Sequence, residues 1–190
     1  IPLDWAAGPA QPGVALLADL SAASAERLGQ RIAALKRPGD VVVVSIHWGS
    51  NWGYQVPASQ RSFAHALIDR AGVDLVHGHS SHHPRPIEVY RSRLILYGCG
   101  DFLNDYEGIA GYEAFRGDLG LMYFAALAPA DGRLLGLNLC PMRIKRFRAQ
   151  HASPKDVAWL NGLLRRLGAP FGTATAAAPD GSLTLRWRKQ

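Results

Sequence analysis

Val41-Val42-Val43-Val44-Ser45-Ile46-His47-Trp48-Gly49 and, further on, Val73-Asp74-Leu75-Val76-His77-Gly78-His79-Ser80-Ser81-His82-His83 are the stretches that decide how this chain folds. Each is a short aliphatic run followed at once by a Gly-bearing polar segment that carries histidine. Val41 to Ile46 has the continuous β-branched character of a strand buried on both faces. In α/β sheets the loops at the C-terminal ends of such strands are where chemistry is placed. A strand followed by a histidine loop, twice over, therefore predicts an α/β domain with a site at the strand ends.

The flanking segments fit that reading. Ser21 is an N-cap for a helix over 22–35, with Leu28, Ile32 and Leu35 on one stripe and Pro38-Gly39 as the stop. Residues 59–71 form an amphipathic helix with Phe63, Leu67 and Ile68 inward, ending at Gly72. A hairpin turns at Arg91-Ser92 between 87–90 and 93–97, and a longer one joins 119–127 to 134–144. Ser153-Pro154 opens a helix to Leu167, and Asp180-Gly181 turns into a last strand over 183–187. Residues 1–20 are read as an irregular lead-in, and the small Ala-rich stretch 174–178 is the one low-complexity segment.

At 190 residues the chain is long enough for one domain with its own core, taken as 1–190. No apolar run approaches the roughly 18–20 residues that cross a bilayer. The chain opens Ile-Pro-Leu-Asp-Trp, with neither initiator Met nor a basic leader, and so reads as a fragment or a processed chain. Of its 21 cationic residues 17 are Arg, scattered, for a net charge of +6. No nucleic-acid motif accompanies them, so a solvated basic face is expected, and guanidinium forks suit phosphate or carboxylate ligands. Cys99 and Cys140 lack metal-ribbon spacing; two buried thiols are expected, with a single disulfide as the alternative.

Four of the seven histidines fall between residues 77 and 83. Neutral imidazole is the commonest metal ligand. His79 and His82, set among Gly78, Ser80 and Ser81, can turn toward one ion, with His47 reaching it from the neighbouring strand end. His77 and His83 flank them. His65 reads as a partly buried helix residue and His151 as a surface one.

In order along the chain, His47-Trp48-Gly49, Gly78-His79-Ser80-Ser81-His82, Pro86-Ile87-Glu88-Val89-Tyr90 and Tyr97-Gly98-Cys99-Gly100-Asp101-Phe102 resemble the motifs of the CapA family of bacterial proteins, named for poly-γ-glutamate capsule synthesis. The resemblance spans about residues 1–170, and the family's domain resembles the calcineurin-like metallophosphoesterases. It implies the C-terminal portion of an α-β-β-α sandwich. It also implies that His47, His79 and His82 ligate metal, with His47 and Asp101 serving the chemistry. Two divalent ions per complete site are implied (Mn, Fe, Zn or Co), with a bridging hydroxide acting on a phosphoryl or carboxyl group.

The family's N-terminal half, with a Gly-Asp motif and an Asn-His pair, is expected to lie outside this chain. Asn51 and Asp101 depart from the family's usual Glu and Asn. The implied function is a metal-dependent phosphoesterase-like hydrolase of capsule or envelope polymer synthesis, acting on an anionic polymer or a phosphorylated substrate. A non-catalytic accessory that holds the polymer is the alternative. The cell envelope or the cytoplasm would be its location, with any membrane attachment made through a region outside this chain and no nucleic acid involved.

Overall fold

The structure is a computed structural model describing residues 3–104 and 109–188; Ile1 and Pro2 of the lead-in lie outside the described residues. The fold is mixed α/β, with two sheets and three α-helices among the described residues. The first sheet runs β1 (Val43–His47), β2 (Leu75–His79), β4 (Arg93–Leu96), β3 (Ile87–Tyr90). Its first three strands in that order are parallel, and β3 returns antiparallel on β4. The second sheet is antiparallel: β5 (Leu119–Leu127), β6 (Leu134–Lys145), β9 (Leu183–Trp187), β8 (Thr173–Ala177), with β7 (Arg148–His151) also on β6. Helices α1 (Ala22–Leu35) and α2 (Ala58–Ala71) cover one face of the first sheet. The second sheet and α3 (Pro154–Gly168) cover the other.

The two cores follow from strand periodicity. Val44, Ile46, Val76, Ile95 and Tyr97 point to the helices, where Phe63, Ala64 and Leu67 of α2 meet them. Leu75, Leu94, Leu96, Ile87 and Val89 point the other way, onto Leu119, Leu121, Leu137, Leu139 and Leu183 of the second sheet and Leu160 of α3. Ser21 caps α1 as its sequence requires, its hydroxyl accepting from the Ser24 amide at 3.2 Å. Ser153 caps α3 in the same way, with Pro154 at its first turn.

Several expectations need correction. β1 is not buried on both faces: among the described residues it pairs with β2 alone and forms the edge of its sheet, and Val43 is 53% exposed. Four valines favour a strand in either setting, so composition does not separate edge from centre. β2 begins two residues later than the apolar run and continues through His79, because Ser45 to His47 of β1 offer ladder partners to His77 to His79. These histidines therefore belong to a strand, not a loop. Leu35 lies 80% exposed, while α1 buries Ser24, Ala25 and Gly29 against α2. β8 takes up most of the Ala-rich stretch. Both cysteines are free thiols, with Cys99 buried and Cys140 half-buried. Among the described residues no helix is long and apolar enough to cross a membrane.

Candidate functional site

Parallel pairing sets Ser45 beside His77 and His47 beside His79 on the face of the first sheet away from the helices. The His47 and His79 rings lie edge to face, 5.2 Å between centroids, and His77 is 5.7 Å from His79. The Ser45 hydroxyl bonds His77 Nδ1 at 2.9 Å. His77 and His79 of this row line a cleft between the sheets, with Leu121 and Tyr123 of β5 on its far wall. Burial holds the pKa of both His77 and His79 below the usual imidazole value, and the neighbouring His47 and His77 push His79 further down. Both are neutral at pH 7, the form in which imidazole offers a lone pair to a metal.

The loops that frame the row are tightly built. Trp48 is buried: its amide donates to the His79 carbonyl at 3.1 Å and its indole N–H to the Tyr97 carbonyl at 3.1 Å. A Cβ on residue 78 would lie 2.5 Å from the Trp48 indole nitrogen and 2.6 Å from the Leu96 carbonyl, which explains Gly78. Gly49 has φ +77, and a side chain there would strike Gln60 and Arg85. The chain leaves β2 at Ser80, whose φ of 113° is a strained value for a residue with a side chain. That reversal swings His82 away from the strand and lets its amide donate to the Asn51 carbonyl at 3.1 Å.

His82 then pairs with Asp101, Nδ1 lying 3.0 and 3.1 Å from the two carboxylate oxygens. A carboxylate accepting at Nδ1 makes Nε2 the lone-pair nitrogen of the neutral ring, the arrangement typical of metal-ligating histidine. Asp101 thus lies beside His82 and fixes the orientation of its ring. The structure brings His47 together with His79, and His82 together with Asp101. Among the described residues no group of three His, Cys, Asp or Glu side chains is placed to hold a metal ion. The donors present, imidazole nitrogen and carboxylate oxygen, fit a divalent ion by type as part of its coordination sphere.

The flanking histidines divide. His77 joins the open row. His83 is fully buried, boxed by Tyr54, Phe115 and Trp52, with Nδ1 on the Pro84 carbonyl at 3.1 Å. Its pKa is lowered chiefly by burial, so it packs as a neutral ring. His65 is a helix residue facing Glu88 at 3.1 Å, and His151 is exposed.

Sequence reasoning missed three contributors. Arg85 is buried beneath the His47 loop, donating to the Gln55 carbonyl and, at 3.4 Å, to Gln60 Oε1. Trp52 stacks flat on Tyr112, 4.2 Å away, and leans on His82. Buried Glu88 accepts from Tyr97 at 2.6 Å and Arg61 at 3.1 Å, tying β3 and β4 to α2. An Arg between two prolines, a Trp four residues after another and the Glu within Pro86-Ile87-Glu88-Val89-Tyr90 were the signals, and none specifies a role without its neighbours.

Comparison with known proteins gives a consistent picture. The family described as bacterial capsule synthesis protein PGA_cap matches residues 1–106. A probable polyglutamine synthesis accessory protein of Mycobacterium tuberculosis is 49% identical over 186 residues, 97% of this chain and 49% of that protein. The capsule biosynthesis protein CapA of Bacillus anthracis is 36% identical over 122 residues, 64% of this chain and 26% of its own. The PGA biosynthesis protein CapA of Bacillus subtilis is 40% identical over 74 residues, 39% of this chain and 19% of its own. The chain thus spans about half the length, or less, of these curated relatives.

Proposed function

This chain belongs to the bacterial capsule synthesis protein family PGA_cap, and on that premise we propose that it carries the histidine side of a divalent-metal site in a phosphoesterase-like hydrolase of poly-γ-glutamate or related envelope-polymer assembly. The observation that carries this reading is the His47–His79 pair, with the neutral His79 ring lining an open cleft, and the His82–Asp101 pair on the following loop. His47 and His79 would hold the ion, and His82 would join them with its ring oriented by Asp101. When bound, the ion supplies Lewis-acid polarisation and a hydroxide nucleophile at neutral pH.

The remaining ligands would come from the part of the longer relatives that this chain does not span. The exposed edge of β1, with Val41 and Val43 at the surface, is where such a portion would pack. The test is metal content after dialysis, measured on the parent protein and on its His47→Ala/His79→Ala variant. Loss of bound ion in the variant is expected; retention at the parent's level overturns the reading. A screen of generic phosphomonoesters and diesters with Mn or Zn should then show turnover that the variant lacks.

The net charge of +6 favours a second reading, an accessory that holds an anionic polymer in the same cleft without turning it over. Salt-sensitive retention on poly-γ-glutamate, with no hydrolysis under any divalent metal, would select it over the first.

A further inference from the structure

The second sheet carries a cluster of soft donors on its outer face, separate from the histidine row. Cys140 Sγ lies 3.7 Å from Met142 Sδ and 3.9 Å from His151 Nδ1. The placement follows from strand register. Cys140 and Met142 are alternate residues of β6 and so share a face. His151 of β7 stands directly opposite Met142. That pairing is set by the two-residue turn Arg146-Phe147, both at positive φ, which closes the β6–β7 hairpin. Met122 of β5 stands directly opposite Cys140 from the other side. The chain has two methionines, and both neighbour this one thiol.

We propose that Cys140, Met142 and His151 form a binding site for a soft monovalent metal ion of the Cu(I) type, with Met122 as an adjoining thioether. Thiolate and thioether sulfur select Cu(I) over harder ions, and imidazole completes such sets readily. The spacing fits with shifts of a few tenths of an ångström. Metal–sulfur bonds of about 2.3 Å and metal–nitrogen bonds of about 2.0–2.1 Å put two sulfurs roughly 3.8–4.0 Å apart, and a sulfur and a nitrogen roughly 3.5–3.8 Å apart, in tetrahedral or trigonal geometry. The observed 3.7 Å between sulfurs and 3.9 Å from sulfur to nitrogen lie within about 0.2 Å of those ranges. Exposed His151 leaves an approach from solvent, while Met142 is buried and Cys140 half-buried. On binding, the Cys140 thiol releases its proton to solvent, the thiolate and the neutral imidazole each donate an electron pair, and no electron is transferred. This site involves neither His47 nor His79, so it stands or falls apart from the proposed hydrolase.

The experiment is an anaerobic competition titration of the purified protein with Cu(I), against a chromophoric Cu(I) chelator, repeated with Ag(I) as a redox-inert probe. The expected result is a single equivalent withheld from the chelator. Cys140→Ser and Met142→Leu should each weaken binding roughly tenfold or more. His151→Asn, at an exposed position where folding is safe, should weaken it severalfold, and circular dichroism confirms that each variant is folded. Cys99→Ser and His47→Ala/His79→Ala should bind as the parent does. No withheld equivalent in the parent, undiminished binding by Cys140→Ser and His151→Asn, or loss in Cys99→Ser or in the double variant would each overturn the assignment.

Discussion

Ile46 and His47 are consecutive in β1, and their side chains leave the sheet in opposite directions. Ile46 enters the core under α1 and α2 with Phe63, Leu67 and Val76. His47 stands on the open face beside His79. The same alternation separates Val76 from His77 and Tyr97 from Leu96. One face of the sheet is therefore committed to stability, while the end of the other keeps polar side chains reachable. What differs between them is coverage, since helices seal the first face and β1 leaves the second ajar at the sheet's edge.

The largest effects should fall on the sealed face. Phe63→Ala removes a ring that is 1% exposed and should cost about 3–5 kcal/mol in urea unfolding. Ile46→Ala should cost about 2–4 kcal/mol, whereas His47→Ala beside it should stay within about 0.5 kcal/mol. Equal losses for these neighbours would show that the two faces do not differ as described.

Glu88 sharpens the contrast within the sealed face, because it is a buried carboxylate satisfied by Tyr97, Arg61 and His65. Glu88→Ala leaves the Tyr97 hydroxyl without its acceptor. Arg61 and His65 can turn to water, so the cost should be about 1–3 kcal/mol by the same measurement. A neutral outcome would mean that the network adds nothing to packing.

The acid limb should belong to neither face. Hydrogen bonds from Arg116 and Ser153 hold Asp156 below its ordinary carboxylate value of 3.8. Its folded pKa is the lower one, so its contribution is present above pH 3.8 and is lost as the pH falls through the folded value. Asp156→Asn should flatten the stability profile below about pH 4. A profile unchanged by this substitution would assign acid sensitivity elsewhere. The smallest effect is expected at Leu35, where exposure predicts that Leu35→Ser changes stability by less than about 0.5 kcal/mol.

Much of this fold is legible from local chemistry. α1 runs from Ala22 to Leu35 because Ser21 caps it and Pro38-Gly39 follows, both of them local facts. α2, α3, the two hairpins and β9 are read the same way, and the motifs around them single out His47, His79, His82 and Asp101 as candidates. What escaped was set by partners distant in sequence. β7 and β8 are short and weakly patterned, and they are strands because β6 and β9 offer them ladders. The Arg85 clamp depends on Gln55 and Gln60 lying above it.

By itself the sequence determined the α/β class, the alternation of strand and histidine segment, the family, and which side chains are candidates for chemistry. These rest on periodicity, capping and motif order, all written within a few residues of one another. Only the tertiary structure decided that His77 and His79 belong to a strand, that β1 is an edge, and that His82 turns to Asp101 while His83 is buried. It also placed Met142 and His151 each within 4 Å of Cys140, across two strands. Register and coverage depend on what packs alongside, and a run of valines or histidines carries no information about its neighbours in space.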